Sequence, residues 1–160
     1  MHAALGEAMR LLLGGDPQFW EIVALSLRVT LSATALATLV GLPVGALVTA
    51  VLVIDDIRDR HWDAKKGWRT TAVRFGLRGS RVAFVALVAF AYVAPFAIWL
   101  GLGFSAWVLL PLATLPLAAR AVRAVLTHDD TASLFPWTPR TAMLGLLYAA
   151  LSGAGLAVPS

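Results

Sequence analysis

The chain has 160 residues, of which 59% are hydrophobic and only 14% charged, with a mean hydropathy of +0.80. A soluble domain carries about 25% charged residues, so there is too little polar surface here to cover a globule in water. The net charge of +4 and a pI near 10.3 do not make a nucleic-acid binder, because the basic residues cluster between apolar runs, as in cytoplasmic loops of membrane proteins.

The length suits one domain or a piece of a larger one. Cysteine is absent, which removes disulfides and thiolate metal sites. Met1 to Leu13 holds Glu7 and Arg10 but lacks the basic start, apolar core and cleavage site of a secretory signal. Leu5–Leu13 and Phe19–Leu27 read as amphipathic segments separated by Gly14-Gly15-Asp16-Pro17. Asp16 suits a helix cap and Pro17 a first helical turn. Arg28 falls at the start of the first span and is expected to snorkel to the interface. Val29 to Ile54 is 26 residues without a charge, and a span needs about 20. Gly41 and Pro43 lie within it, where a membrane helix tolerates a kink. Val82 to Ala119 is 38 uncharged residues, about 57 Å as one helix at 1.5 Å per residue. That exceeds a hydrocarbon core of about 30 Å, so two spans are expected, turning near Gly101-Leu102-Gly103. Thr141–Ser160 reads as a fourth, shorter span rich in Gly and Ala, which permit close helix packing. The expected fold is an all-α integral membrane bundle of about four transmembrane helices.

Eight Lys/Arg lie between Asp55 and Arg81, and three between Arg120 and Arg140. With four spans these two loops share one side. The positive-inside rule places them in the cytoplasm, with both termini outside, in a multi-pass protein of the cell inner membrane.

The chemistry concentrates in Asp55-Asp56-Ile57-Arg58-Asp59-Arg60-His61-Trp62-Asp63 and the following Lys65-Lys66-Gly67-Trp68-Arg69-Thr70. If the first span runs on as helix, Asp55, Asp59, Asp63 and Asp56 fall at about 0°, 40°, 80° and 100° around it. Four carboxylates on one face repel. A divalent cation relieves this, and Mg²⁺ characteristically joins one or two carboxylates to phosphate oxygens and water. Such a face can hold a diphosphate through Mg²⁺. Arg58, Lys65, Lys66 and Arg69 lie near enough in sequence to contact phosphate, and the apolar spans offer a channel for a lipid tail. The plain alternative is a solvated loop of mutually paired Asp and Arg.

These residues carry a resemblance. From about Leu47 onward the chain resembles the C-terminal part of the UbiA superfamily of membrane prenyltransferases, nearest the menaquinone-pathway branch. Its second Asp-rich motif, Asn-Asn-x-Arg-Asp-x-x-x-Asp, is matched by Asp55-Asp56-Ile57-Arg58-Asp59 and Asp63, with Asp55 and Asp56 in place of the Asn pair. Gly67-Trp68-Arg69-Thr70 and Val73-Arg74-Phe75-Gly76 follow as in the family, and Pro116-Leu117-Ala118-Ala119-Arg120 is also similar. The resemblance implies Asp59 and Asp63 as catalytic residues binding Mg²⁺-diphosphate, with Asp55 and Asp56 completing the metal face and Arg58, Lys66 and Arg69 binding substrate. It implies prenyl transfer from a polyprenyl diphosphate to an aromatic acceptor, as in quinone biosynthesis. Family members have about nine spans and a first motif, Asn-Asp-x-x-Asp-x-x-x-Asp. Before Asp55 the acids here are Glu7, Asp16 and Glu21, so half of the metal site is expected from elsewhere, such as a second chain or an oligomer.

Residues 1–46 resemble something else. Gly15-Asp16-Pro17-Gln18-Phe19-Trp20-Glu21-Ile22-Val23, through Ser26–Thr30 to Gly41-Leu42-Pro43-Val44-Gly45, is similar to the start of a tungstate-type ABC transporter permease. This reading divides the chain into 1–46, permease-like, and 47–160, prenyltransferase-like. The competing functions are an oxyanion permease fragment, whose Glu-Ala-Ala coupling loop is not found, and a membrane fragment with no activity.

His2, His61 and His128 lack metal-ligand spacing. Trp62, Trp68, Trp99, Trp107 and Trp137 fall near span ends, where indoles anchor at the interface. Pro95, Pro111 and Pro116 are expected to kink helices. Asp129-Asp130 suits a loop or a cap.

Overall fold

The computed structural model describes residues 17–158. His2, Glu7, Arg10, the Leu5–Leu13 segment and the Asp16 cap lie outside the described residues. The described chain is an all-α membrane helical bundle: α1 Pro17–Lys65, α2 Thr71–Leu102, a 3-10 helix Ala106–Thr114, α3 Leu115–Thr127, α4 Thr131–Leu134 and α5 Trp137–Ala157. Two compact units are distinguished, Met1–Thr38 and Leu39–Ser160. The described part of the first is the opening stretch of α1, with Ile22, Leu25, Val29 and Leu31 exposed. The core and the site described below lie in the second unit.

Among the described residues, three helical segments are long and apolar enough to cross a membrane: Pro17–Lys65, Thr71–Leu102 and Ala106–Thr127. The expected turn after the second span is present. α2 ends at Leu102, and Gly103 adopts φ 68° as its left-handed cap. The expected fourth span is a helix of 21 residues, α5, but it falls outside those three segments. Its first turns carry Thr138, Arg140 and Thr141, which dilute its hydropathy.

The core joins Leu47, Ile54 and Ile57 of α1 to Phe84, Val88 and Ala91 of α2, Ala118, Ala121 and Val125 of α3, and Leu144 and Tyr148 of α5. Small residues let these backbones approach, the main source of affinity between helices in lipid. The nearest approach is at Gly155. A Cβ built there would overlap the Trp107 carbonyl oxygen. The outer faces are apolar too, with Leu42, Val48, Leu52, Val82, Phe90, Val93, Leu100 and Leu146 exposed, as a lipid solvent permits and water does not.

Two tyrosine hydroxyls inside the bundle find partners across helices, whereas the buried hydroxyls of Ser80 and Thr141 have no hydrogen-bond partner among the described residues. Pro95 has no N–H, so the Ala91 carbonyl four residues earlier loses its helical donor. The Tyr148 hydroxyl of α5 donates to that carbonyl. The Tyr92 hydroxyl lies 2.6 Å from Thr114 Oγ1, which in turn donates to the Pro111 carbonyl. The break in α2 falls at Gly76, with φ 70° and ψ 176°, a conformation essentially confined to glycine.

Candidate functional site

Two loops meet at one end of the bundle. α1 continues as helix past Ile54 to Lys65, so the four carboxylates share a face as expected. The helix closes on Gly67, which has φ 73°. The Trp68 N–H donates to the Asp63 carbonyl at 2.9 Å and the Gly67 N–H to the Ala64 carbonyl at 3.2 Å. This is a Schellman closure, which requires a left-handed residue after the helix.

The four acids have different surroundings. Asp55 Oδ1 accepts from Thr138 Oγ1 at 2.8 Å and lies 2.8 Å from Arg58 Nη1. Asp56 Oδ2 accepts from the Thr71 N–H at 2.9 Å, so it caps the start of α2 from fifteen residues upstream. Asp59 receives a two-pronged guanidinium, with Arg58 Nε at 2.9 Å from Oδ1 and Nη2 at 2.6 Å from Oδ2. Asp63 is only 5% exposed, and its carboxylate has no hydrogen-bond or ion-pair partner among the described residues.

The expected substrate-binding cations also separate. Arg58 is embedded in the acid face and stacks over Phe135 at 5.8 Å. Lys66 is exposed, its ammonium 4.9 Å from the Trp62 ring and 5.1 Å from the Trp68 ring. Arg69 is exposed on the same short connection. Trp62 and Trp68 are 61% and 55% exposed, matching interfacial anchors.

The second loop docks on the first. Thr131 Oγ1 donates to the Arg58 carbonyl at 3.0 Å, and Arg60 lies 3.8 Å from Asp129. The two basic loops therefore occupy the same end, as the span count required. Asp130 caps α4 by accepting from the Ser133 N–H at 2.8 Å, and that bond holds its carboxyl below the usual aspartate range. Arg81 donates to the carbonyls of Val125 and His128 at 2.8 and 3.1 Å, closing the end of α3. His61 contacts Arg60 and His128 contacts Thr127.

Below the acids lies a groove of about 350 Å³ between α1 and α5, lined by Val44, Val48, Val51 and Leu52 on one side and Ala142, Gly145 and Leu146 on the other. Val48, Val51 and Leu52 precede Asp55 by seven, four and three residues, so they continue the carboxylate stripe along the helix. The apolar lining stops at Leu52, one helical turn before Asp55.

Among the described residues, no three His, Asp or Glu side chains converge as a metal cluster. Asp55 and Asp56 each have one carboxylate oxygen held, by the Thr138 hydroxyl and by the Thr71 N–H. The donors still fit a hard cation that takes one or two carboxylates. Asp59 and Asp63 are one turn apart, and Asp63 is a buried carboxylate left without a countercharge. Sequence reasoning missed Thr138, Thr131 and the capping roles of Asp56 and Arg81. These partners lie up to 83 residues apart in the chain, and no local pattern announces them.

The chain matches the UbiA prenyltransferase family over residues 8–138 and belongs to that family. The match passes through the stretch that resembled a permease, and that likeness finds no support. A similar protein is the 1,4-dihydroxy-2-naphthoate octaprenyltransferase of Mycobacterium tuberculosis, 34% identical over 111 residues, which are 69% of this chain and 37% of that protein. The chain therefore aligns with little more than a third of that relative's length. No solved structure matches.

Proposed function

We propose that this member of the UbiA prenyltransferase family binds a polyprenyl diphosphate at the Asp59–Asp63 face and takes part in transferring the prenyl group to an aromatic acceptor. The observation that carries the reading is the apolar groove between α1 and α5, whose lining on α1 stops at Leu52, one turn before the first acid of the Asp55–Asp63 face. Further support comes from the name of the similar protein, whose acceptor is a dihydroxynaphthoate.

In this reading the groove takes the isoprenoid chain and the rim takes the head group. Asp59 and Asp63 would hold Mg²⁺, which supplies charge neutralisation for a departing diphosphate. Asp55 and Asp56 shape the rim, Asp55 through Thr138 and Arg58 and Asp56 by fixing the start of α2. Lys66 and Arg69 are exposed donors beside the rim and would meet the outer phosphate oxygens. In the transfer, the bond from the first prenyl carbon to oxygen breaks with its electron pair leaving on diphosphate. A ring carbon of the acceptor bonds to that carbon, and the ring loses a proton. The apolar walls keep water from the electron-poor carbon. The basic end would face the cytoplasm of a bacterial inner membrane.

The test is to place the chain in lipid nanodiscs with Mg²⁺, a labelled polyprenyl diphosphate and a panel of aromatic acids. Mg²⁺-dependent retention of the diphosphate is the expected result, and prenylated product is expected where the first Asp-rich motif is also supplied. Retention that ignores Mg²⁺, or that survives Asp59→Asn with Asp63→Asn, defeats the proposal.

A further inference from the structure

Arg58 occupies a telling position within the acid face. Its Nε and Nη2 engage both oxygens of Asp59, and its Nη1 reaches Asp55 Oδ1. Thr138 Oγ1, arriving from α5, accepts from Nη1 at 3.2 Å and donates to Asp55 at 2.8 Å. Every guanidinium nitrogen is thus committed to an acid or to the hydroxyl that braces one. One positive group bridging carboxylates a turn apart does electrostatically what a divalent cation would do there.

We propose that Arg58 is a resident counter-cation of this face, keyed in place by Thr138, and that a divalent cation loads by displacing Arg58 from Asp59. The inference rests on the reading of Asp59 as a metal carboxylate. A guanidinium displaced from Asp59 keeps Asp55 through Nη1 but has two freed donors, Nε and Nη2, which a diphosphate arriving with the metal can take. Metal and diphosphate therefore bind with positive coupling, each strengthening the other by the same factor. Thr138 acts through Arg58 and Asp55 and is a positioning residue. It also ties this exchange to the first turn of α5, the helix that lines the groove.

The experiment measures Mn²⁺ binding to the full chain in nanodiscs by electron paramagnetic resonance, with and without inorganic diphosphate. Arg58→Gln is expected to bind Mn²⁺ about tenfold more tightly when diphosphate is absent, since one charge-assisted pair no longer competes. The gain in affinity on adding diphosphate shrinks in the same variant. Thr138→Val shifts both quantities in the same direction by a smaller factor, and Thr138→Ser restores the wild-type values. A purely structural role for Arg58 or Thr138 predicts weaker Mn²⁺ binding in each variant. The displacement idea is overturned if Arg58→Gln binds Mn²⁺ no more tightly than wild type while Asp59→Asn abolishes binding. If wild type and all variants bind no Mn²⁺, even with diphosphate, the metal reading of Asp59 and Asp63 falls and the displacement falls with it.

Discussion

At the carboxylate end, residues far apart in the chain are joined by a few directed polar bonds: Asp55 to Thr138, Arg58 to Thr131, Asp56 to Thr71. At the seam between α5 and the 3-10 helix, Gly155 packs against the Trp107 backbone with no room for a methyl group. The first region keeps charged side chains part-exposed over a groove, and the second excludes everything but backbone. The contrast assigns labour. Stability resides where atoms touch, and the proposed chemistry would need polar groups that can exchange partners. Substitutions in the two regions should therefore fail in different ways.

Gly155→Ala should have the largest effect on the fold. Backbone atoms of Trp107 and Val108 cannot step aside for the added Cβ, so the expected loss is about 3 kcal/mol of stability, read as a lowered unfolding temperature in detergent. The double change Asp59→Asn with Asp63→Asn should do the reverse. It should reduce Mg²⁺-dependent diphosphate binding about a hundredfold, the loss of two charged ligands, while helicity by circular dichroism stays unchanged. A collapse of helicity in that variant breaks the division between the regions.

Gly76→Ala tests the border between them. Open space surrounds the position, so only the positive φ is penalised, at about 2 kcal/mol. The cost should appear in thermal unfolding, with the groove itself intact. The smallest effect is expected at Asp130. Its folded carboxyl titrates below the usual range because Ser133 donates to it. Its cap is therefore fully present above the ordinary aspartate pKa and is lost as pH falls through the depressed folded value. Faster amide exchange at Ser133 on acidification, beyond the intrinsic pH trend, is the check. Asp130→Asn should flatten that response.

Much of this was legible in the residues. The uncharged run Val29–Ile54 announced a helix, and its continuation placed Asp55, Asp59 and Asp63 on one face because period and spacing are local properties. The turn at Gly103 followed from a length that no bilayer accommodates. The Asp130 cap was readable from an acid ahead of a short polar segment. Asp56 was not readable as a cap, because its partner Thr71 belongs to the next helix. Arg58 read as a phosphate ligand because it lies close in sequence to the acid face, and its pairing with Asp55 and Asp59 appears only in the fold. Thr138 had no signal at all. It matters only because the start of α5 comes to rest beside α1, a fact of packing among apolar helices whose faces look alike.

That resemblance among greasy faces gives special weight to Pro95 and Tyr148. Two smooth apolar helices can slide past one another by a turn at little cost. The missing amide at Pro95 leaves one bare carbonyl on the side of α2, and the Tyr148 hydroxyl seeks it out. A shift by one turn would leave both groups stranded in hydrocarbon. The proline thus acts as a notch and the tyrosine as a pawl, setting how far along α2 the last helix comes to rest and hence how the walls of the groove line up.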